Sequence, residues 1–452
     1  MRKRRLVRAA SVFAGLTLLF AACGDDDDES TTDTTAAGDE TTTTGGGGGG
    51  GGELEGAKGT TPAPETTDEV TAFRARMDEQ DPNLEDYSYG PESYDSVVII
   101  ALAAQVAGDD GSAHASEIVN VTKGGEKCSS YADCVALIEA GTDIDYEGVS
   151  GNTDMSGNGE PIIGSYSILT YGADNRIDDD LTEFRTAEAS QEFQDLPNDP
   201  VTVERAGDGV LTIGTMLPET GNLAFLGPPE IAGVQLAIAD INAGGGFNGQ
   251  DVVLVEGDSG DTTTDTAVQT VTRELAQGVD AIIGAASSSV SASVIDQITE
   301  AGVTQFSPAN TSKQFSDYPD EGLYFRLGPS DILQGQVLAE VIADDGYGSL
   351  VILNFDDDYG NGLAEDLAAS FTESGGEVLD TITYDPQAQT FDAEVGQAAA
   401  TDADALALIG FDESSRVLAA LVEAGFGPQD VPTYLVDGNV GNALGERFDS
   451  GE

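Results

Sequence analysis

The stretch VLTIGTMLPETGNLAFLGPPEIAGVQLAIADIN, residues 210–242, decides the fold class. Its first eight residues are a short apolar run, which predicts a buried strand. The part from Pro228 onward predicts a helix, because proline stands at its start, apolar residues recur near a 3.6-residue period and three glycines follow at 244–246. A strand that leads directly into a helix is the repeating unit of an α/β fold.

The same alternation continues to the end of the chain. Seven further strands are predicted, each followed by a helical stretch such as SSVSASVIDQITEAG: DVVLVEGD, DAIIGAA, VTQFSPA, SLVILNF, EVLDTITY, ALALIGF and PTYLVDG. The rhythm is interrupted at LYFRLGPSD, which predicts a crossover near 326–330. We therefore predict two doubly wound parallel sheets, in a first lobe at 210–328 and a second lobe at 329–452.

The amino terminus reads as an export signal. Five basic residues precede the apolar run AASVFAGLTLLFAAC, which is too short for a comfortable membrane span. The ending FAAC resembles the lipobox of bacterial lipoproteins, so residues 1–22 are expected to be removed and Cys23 to be lipid-modified. An ordinary signal with an incidental cysteine is the alternative. Residues 23–53 are low-complexity Asp, Thr and Gly, which predicts a disordered tether.

Charge and cysteine content limit the partners. With 82 acidic and 18 basic residues, the surface repels phosphate backbones, so nucleic acid is excluded as a partner. Setting Cys23 aside leaves Cys128 and Cys134, which we expect to be disulfide-bonded outside the cytoplasm; two buried free thiols are the alternative. The single histidine, His114, is expected to be solvated near a helix start, and no metal site is predicted.

Several motifs carry a resemblance to a known family. They are IGTMLPETGNLAFLG, ADINAGGGFNGQDV, IIGAASSSV, FSPANT and DDDYGNGLAED, within 205–452. In this order they resemble the branched-chain amino-acid-binding proteins, the substrate-binding lipoproteins of ABC importers. The resemblance implies a two-lobed type I periplasmic-binding-protein fold that closes on a small molecule about a hinge. It also implies a membrane permease as partner and a location on the outer face of the cytoplasmic membrane, held there by the lipid anchor.

Residues 54–185 share this resemblance, but out of order. Three stretches, LEGAKGTTPAPETTDEVTAFRARM, PESYDSVVIIALAAQVAG and GSYSILTYGADN, resemble the part of the family that follows GERFDSGE. This implies a circular permutation, in which 54–185 contributes to both lobes and 186–209 is a linker. Leu54 would then continue from Glu452, and a helix would pack on the first lobe through Val97, Ile100, Leu102 and Val106. A truncated tandem pair is the rival interpretation, and a gene-assembly artefact is another origin of the order.

Three serines mark a candidate anion site. Ser287, Ser288 and Ser289 follow the strand AIIGAA and open a helix, where hydroxyl and backbone N–H groups meet at the carboxyl edge of a sheet. A simple helix cap is the alternative. By resemblance, Ser288, the backbone of Ala309 and the Thr311 side chain hold the α-carboxylate and part of the α-ammonium of an amino acid.

The resemblance assigns the rest of the site to the second lobe. Asp437, after the strand TYLVDG, matches an acidic residue that receives the ammonium, although the family usually has glutamate; a turn aspartate is the alternative. Tyr359 and Phe411 match aromatic positions that cover the ligand, with ordinary loop packing as the alternative. Leu226 stands where the family often has an aromatic residue, so the sequence does not predict which side chain the ligand carries. Amides or aromatic carboxylates fit the same scaffold.

Other functions are less well supported by the sequence. An enzyme would need a GxSxG elbow or an SxxK pair around the serine cluster, and neither is present, so no catalytic residue is predicted. The stretch GGGFNG lacks the lysine of a phosphate-binding loop, and no cofactor is expected. A ligand-sensing receptor module with the same fold is the second functional interpretation.

Overall fold

The structure is a computed structural model that describes residues 52–448. The expected signal, Cys23 and Glu452 lie outside the described residues. Within 52–448, none of the helices combines the length and apolar character needed to span a bilayer.

Strands and helices alternate through the described chain. The strands are β1 Lys58–Pro62, β2 Glu126–Cys128, β3 Ile144–Tyr146, β4 Ile163–Thr170, β5 Glu183–Glu188, β6 Thr212–Met216, β7 Val253–Val255, β8 Ala281–Gly284, β9 Thr304–Ser307, β10 Tyr324–Arg326, β11 Ser349–Phe355, β12 Glu377–Tyr384, β13 Ala405–Ile409 and β14 Thr433–Leu435. The helices are α1 Asp68–Gln80, α2 Gly90–Ala107, α3 Ala115–Val121, α4 Tyr131–Glu139, α5 Gln191–Gln194, α6 Gly227–Ala243, α7 Thr266–Gln277, α8 Ser288–Ala292, α9 Ile295–Thr299, α10 Asp331–Asp344, α11 Asp358–Glu373, α12 Asp392–Ala399, α13 Ser414–Glu423 and α14 Asn442–Gly445. Short 3₁₀ turns occupy Ser112–His114, Asp179–Leu181 and Lys313–Asp317.

Two large sheets form the two lobes. The first lobe has a parallel five-stranded sheet in the order β10-β9-β8-β6-β7. The second has seven strands in the order β12-β11-β13-β14-β1-β4-β5. The α/β fold with parallel sheets is thus confirmed, but β4 and β5 run antiparallel at one edge. The loop 171–182 joins them directly, so the chain returns alongside β4 in the opposite direction.

Residues 54–185 are distributed over both lobes. β1 pairs in parallel with β14, with Lys58 opposite Tyr434, and so sits inside the second-lobe sheet. α2 packs on α6 and on strands β8 and β9 of the first lobe. Of its four apolar residues named above, three are fully buried, whereas Val106 in the last turn is 42% exposed. Within this segment only β2 and β3 form a separate small sheet.

Two local predictions fail for identifiable reasons. The helix predicted over SSVSASVIDQITEAG is two short helices, α8 and α9, because the Ser293 hydroxyl donates to the Val290 carbonyl at 2.6 Å and competes with the helical pattern. His114 is buried rather than solvated. Its Nδ1 donates to the Gly111 carbonyl at 2.7 Å and its Nε2 accepts from the Thr304 hydroxyl at 2.9 Å, while burial lowers the pKa of this histidine to about 4.

The predicted disulfide is confirmed. Cys128 ends β2, Cys134 lies in the first half of α4, and their Cα atoms are 5.4 Å apart in the bonded pair. Both cysteines are buried against the first-lobe core. The bond therefore closes a loop of a few residues at the edge of this lobe.

Candidate functional site

A cavity between the two lobes contains every residue proposed for ligand binding. Its volume in the described conformation is about 10 Å³. Its lining consists of Tyr89, Leu223, Leu226, Ala286, Ser287, Ser288, Ala309, Thr311, Tyr359, Phe411, Asp437 and Gly438. The six residues predicted from the sequence are therefore brought together, three from each lobe.

The first-lobe wall is made by the loops that follow β8 and β9. Ser287 caps α8, its hydroxyl accepting from the Val290 N–H, and Ser288 begins that helix. The Ser288 hydroxyl accepts from the backbone N–H of Ser312 at 3.3 Å. The Asn310 amide donates to the carbonyls of residues 285 and 286 at 2.9 and 2.8 Å, which ties the two loops together. This wall offers hydroxyl and backbone N–H groups and no charge, as suits a carboxylate ligand.

Asp437 is the charged group of the opposite wall. It is 5% exposed, and its two oxygens accept three hydrogen bonds. The Tyr89 hydroxyl donates to Oδ2 at 2.6 Å, while the Tyr359 hydroxyl and Gln334 Nε2 donate to Oδ1 at 2.7 and 2.8 Å. Burial raises the pKa of Asp437, and these donors lower it by a smaller amount. These hydrogen bonds fix the Asp437 carboxyl group in a position where it can pair with a cationic group of a ligand.

Aromatic rings close the second-lobe side. Tyr359 and Phe411 stack with ring centroids 5.4 Å apart and an interplanar angle of 13°, and Phe355 lies 4.6 Å from Phe411. Tyr359 is placed by the start of α11, where Asp357 caps the helix by accepting from the Gly360 N–H at 2.9 Å. Phe411 lies two residues after the end of β13. The stack gives the cavity a rigid apolar surface.

Two hydrogen-bond partners of Asp437 were missed in the sequence. Tyr89 comes from the 54–185 segment, where it precedes α2 in a left-handed conformation with φ 58°. The letters SYGPES place a proline near the start of α2, but nothing in them indicates a cavity. Gln334 lies on α10 behind Asp437, and its Nε2 also donates to Thr60 Oγ1 on β1 at 3.1 Å. Only the tertiary fold brings these three elements together.

Further contacts join the lobes around the cavity. The Ser289 hydroxyl donates to Asp357 Oδ2 at 2.6 Å, and burial raises the pKa of this aspartate. Lys313 of the first lobe pairs with Asp366 on α11 at 3.0 Å. The Tyr89–Asp437 bond also crosses between the lobes. The described conformation is therefore one in which the lobes are closed over the cavity.

Among residues 52–448, no group of three or more His, Cys, Asp or Glu side chains is arranged to hold a metal ion. The residues that line the cavity present hydroxyl, backbone amide, carboxylate and aromatic groups. Such a set recognises a small polar molecule with an apolar part.

Two α/β lobes that close on a cavity of this composition are typical of proteins that bind a small molecule between two lobes. Residues 210–451 match the family described as periplasmic binding protein, and residues 23–174 match the receptor family ligand binding region. The first match spans more than half of the chain. The chain belongs to the periplasmic binding protein family, whose members bind solutes.

Individual relatives are similar over part of their length. The chemotactic signal transduction system substrate-binding protein BasB of Halobacterium salinarum is 30% identical over 48% of this chain and 54% of its own. Leu/Ile/Val-binding protein homolog 2 of Brucella abortus is 31% identical over 36% of this chain and 44% of its own. Among solved structures, the leucine binding protein LivK of Thermotoga maritima is 25% identical with a TM-score of 0.47, covering 53% of this chain and 66% of that one. The chain thus spans about half the length of the curated relatives it matches.

Proposed function

We propose that this protein is an extracytoplasmic solute-binding protein of an ABC importer and that it binds a branched-chain amino acid or a similar small molecule by hinge closure. The observation that carries the proposal is a cavity between the lobes that is lined by all six residues that the resemblance assigns to a ligand. Relatives named as Leu/Ile/Val-binding proteins support the same class of ligand.

The polarity of the cavity supports one orientation of an amino acid. Ser288, the Ala309 backbone and Thr311 offer hydroxyl and N–H donors for the α-carboxylate on the first-lobe side. Asp437 offers the buried negative partner that an α-ammonium needs in a closed cleft. Leu223 and Leu226, each 3% exposed, leave an apolar surface for the ligand's side chain. We infer that binding makes and breaks no covalent bond.

The organisation of the chain belongs to the same proposal. We infer that residues 1–22 direct export, that Cys23 carries a lipid anchor and that 23–53 tethers the binding domain near a permease. We also propose that the order of the chain is circularly permuted, with 54–185 completing both lobes and the region 186–209 joining them. Two contacts support this: β1 lies beside β14 in one sheet, and Leu54 belongs to the same core cluster that Phe448 packs against.

A sensory role is the second candidate. One relative is named as the substrate-binding protein of a chemotactic signal transduction system, and it matches 48% of this chain. In that role the same closed form would be read by a membrane receptor instead of a permease. Ligand binding is common to both roles, so the first experiment addresses binding.

A thermal-shift screen of the exported chain tests the proposal. Leucine, isoleucine and valine are compared with their amides, with benzoate and with short dipeptides. A ligand at one hundred times its dissociation constant adds about 2.7 kcal/mol to the free energy of unfolding, which is a clear shift of the melting temperature. We expect the shift for at least one branched-chain amino acid. If only benzoate or amides produce it, the amino-acid assignment is wrong while the binding role stands, and no shift with any compound contradicts both.

A further inference from the structure

A second groove lies between the lobes, and it shares no lining residue with the ligand cavity. Its volume is about 330 Å³, which is in the range of small-molecule sites. The second-lobe wall is formed by residues 61–64, β4, the loop 176–179 and the start of α14, and the first-lobe wall by α1, residues 85–88 and the start of α2. We call it the hinge groove, because the chain crosses there from β1 to α1, which packs on α6 of the first lobe.

The hinge groove contains a cation that has no anionic partner. Arg74 on α1 lies with its guanidinium carbon 5.1 Å from the centre of the Tyr87 ring, and its Nε is buried without a hydrogen bond. Within residues 52–448, every other lysine and arginine forms an ion pair or donates a hydrogen bond, whereas Arg74 does neither. Burying part of a guanidinium without a partner is costly. In a chain with 82 acidic residues, this arrangement favours an anion supplied from outside the chain.

Glu92 provides a second group without a partner in the same groove. Its side chain is 3% exposed, and its Oε2 has no hydrogen-bond partner. Burial raises the pKa of Glu92 to about 8, and Arg74 is close enough to act on this pKa in the opposite direction. At neutral pH the Glu92 carboxyl group is therefore uncharged, so it does not neutralise Arg74 and can donate a hydrogen bond. The two side chains thus offer one charged and one neutral donor to an anionic group.

The other lining residues restrict the charge and the shape of a ligand. Glu85 and Asp179 are exposed in the groove and repel any further negative charge. Arg176 also lines the groove, but it pairs with Glu446 at 3.3 Å. Apolar surface is provided by Pro62, Pro64, Pro91, Leu169 and Ile177. A single carboxylate on an apolar body therefore matches the groove better than a phosphate, which carries more charge.

We propose that the hinge groove is a second ligand site, which binds a small monocarboxylate with an apolar body through Arg74 and Glu92. This site is separate from the proposed amino-acid site and does not depend on it. Both lobes form its walls, and the Asp86 carboxylate of one wall accepts from the Asn442 N–H of the other at 3.0 Å. A ligand that contacts both walls favours the closed form over an open one. This last consequence rests on the proposed hinge closure.

Crystals of the unmodified protein soaked with 4-bromobenzoate test where such a ligand binds. We expect an anomalous bromine peak in the hinge groove, with the carboxylate at hydrogen-bond distance from the Arg74 guanidinium. In calorimetry with the same compound, Arg74→Gln should weaken binding by about tenfold or more, because a hydrogen bond to a charged group is lost. Arg416→Gln is the matched control and should leave binding unchanged. Arg416 also lies 5.1 Å from an aromatic ring, that of Phe391, but outside the groove, where it donates to the carbonyls of Ala388 and Pro386.

Adding leucine separates the hinge groove from the cavity. We expect 4-bromobenzoate to stay bound at saturating leucine, and leucine to bind more tightly when 4-bromobenzoate is present. A bromine peak in the cavity alone, equal affinities of Arg74→Gln and the unmodified protein, or no binding of 4-bromobenzoate would each overturn the proposal. If leucine does not bind, the proposed function is wrong, but the position of the bromine and the effect of Arg74→Gln still decide this inference. In the thermal-shift screen, a benzoate shift that Arg74→Gln abolishes belongs to the groove and not to the cavity.

Discussion

Replacing Asp437 with asparagine is the most direct test of the proposed contact between this residue and a ligand ammonium. The substitution keeps the shape of the side chain, and its Oδ1 can still accept from Tyr359 and Gln334, so the fold is expected to survive. The negative charge is lost in a position that is 5% exposed. A ligand ammonium would then enter a closed cavity without a charged partner.

The expected loss of binding free energy can be estimated. Removing one member of a buried, hydrogen-bonded charge pair costs about 2–5 kcal/mol of binding free energy, which is roughly 30-fold to several thousand-fold in affinity. The loss should be confined to ligands that carry the ammonium. 4-Methylpentanoate, which is leucine without its amino group, should bind Asp437→Asn about as well as it binds the unmodified protein.

Calorimetry with leucine and 4-methylpentanoate on three proteins decides the matter. The third is Asp331→Asn, because Asp331 is also a fully buried aspartate whose pKa is raised by burial, yet it does not line the cavity. We expect a large loss for leucine with Asp437→Asn and a small one with Asp331→Asn. Equal losses for both ligands with Asp437→Asn would remove this residue from ammonium recognition.

The pH dependence follows from the same geometry. Burial raises the pKa of Asp437, so in the ligand-free protein the carboxyl is protonated at higher pH than an ordinary aspartate. An ammonium ligand favours the ionised carboxylate and must displace that proton. Leucine affinity should therefore fall as the pH is lowered, and this fall should be absent in Asp437→Asn.

Three further outcomes are expected. Replacing both Cys128 and Cys134 with serine should lower the free energy of unfolding by about 2–3 kcal/mol in urea titrations, and an unchanged midpoint would contradict a structural role for the bond. Burial raises the pKa of Glu92 from 4.5 to about 8, so stability present at acidic pH should be lost as the pH rises through 8; Glu92→Gln should remove this slope and be a few kcal/mol more stable than the unmodified protein at pH 9. Tyr89→Phe should speed leucine dissociation in stopped-flow experiments by about tenfold, whereas Tyr166→Phe, which removes a buried hydroxyl without a hydrogen-bond partner, should leave the rate unchanged.

The fold was predictable from the sequence because its evidence is local. The run 210–217 and the helix after it carry hydrophobic periods and end signals that tertiary contacts reinforce. The two predictions that failed, a single helix over SSVSASVIDQITEAG and a solvated His114, depend on contacts that the local pattern does not contain. The break between α8 and α9 depends on the hydroxyl of Ser293, and the burial of His114 depends on packing between its short turn and β9, which no period in the sequence reports.

Only part of the candidate site was predictable from the sequence. The residues that could be predicted are placed by the local pattern, and the others are placed by long-range contacts. Ser288, Tyr359 and Phe411 follow strands or open helices, so their place at a sheet edge follows from the local pattern. Tyr89 and Gln334 reach Asp437 from α2 and α10, and the sequence separations are 348 and 103 residues. Contacts of that range are set by how the lobes assemble.

The placement of β1 explains why the amino-terminal part of the chain bears on ligand binding. β1 lies between β14, which precedes Asp437, and β4, so it occupies an interior position in the second-lobe sheet. Gln334 donates from one nitrogen both to Asp437 and to Thr60 on β1. Removing β1 would leave β14 without a neighbour on that side and Gln334 without its second partner. Asp437 is thus linked through Gln334 to a strand from the amino-terminal part of the chain, so under the proposed function both parts of the chain contribute to one binding site.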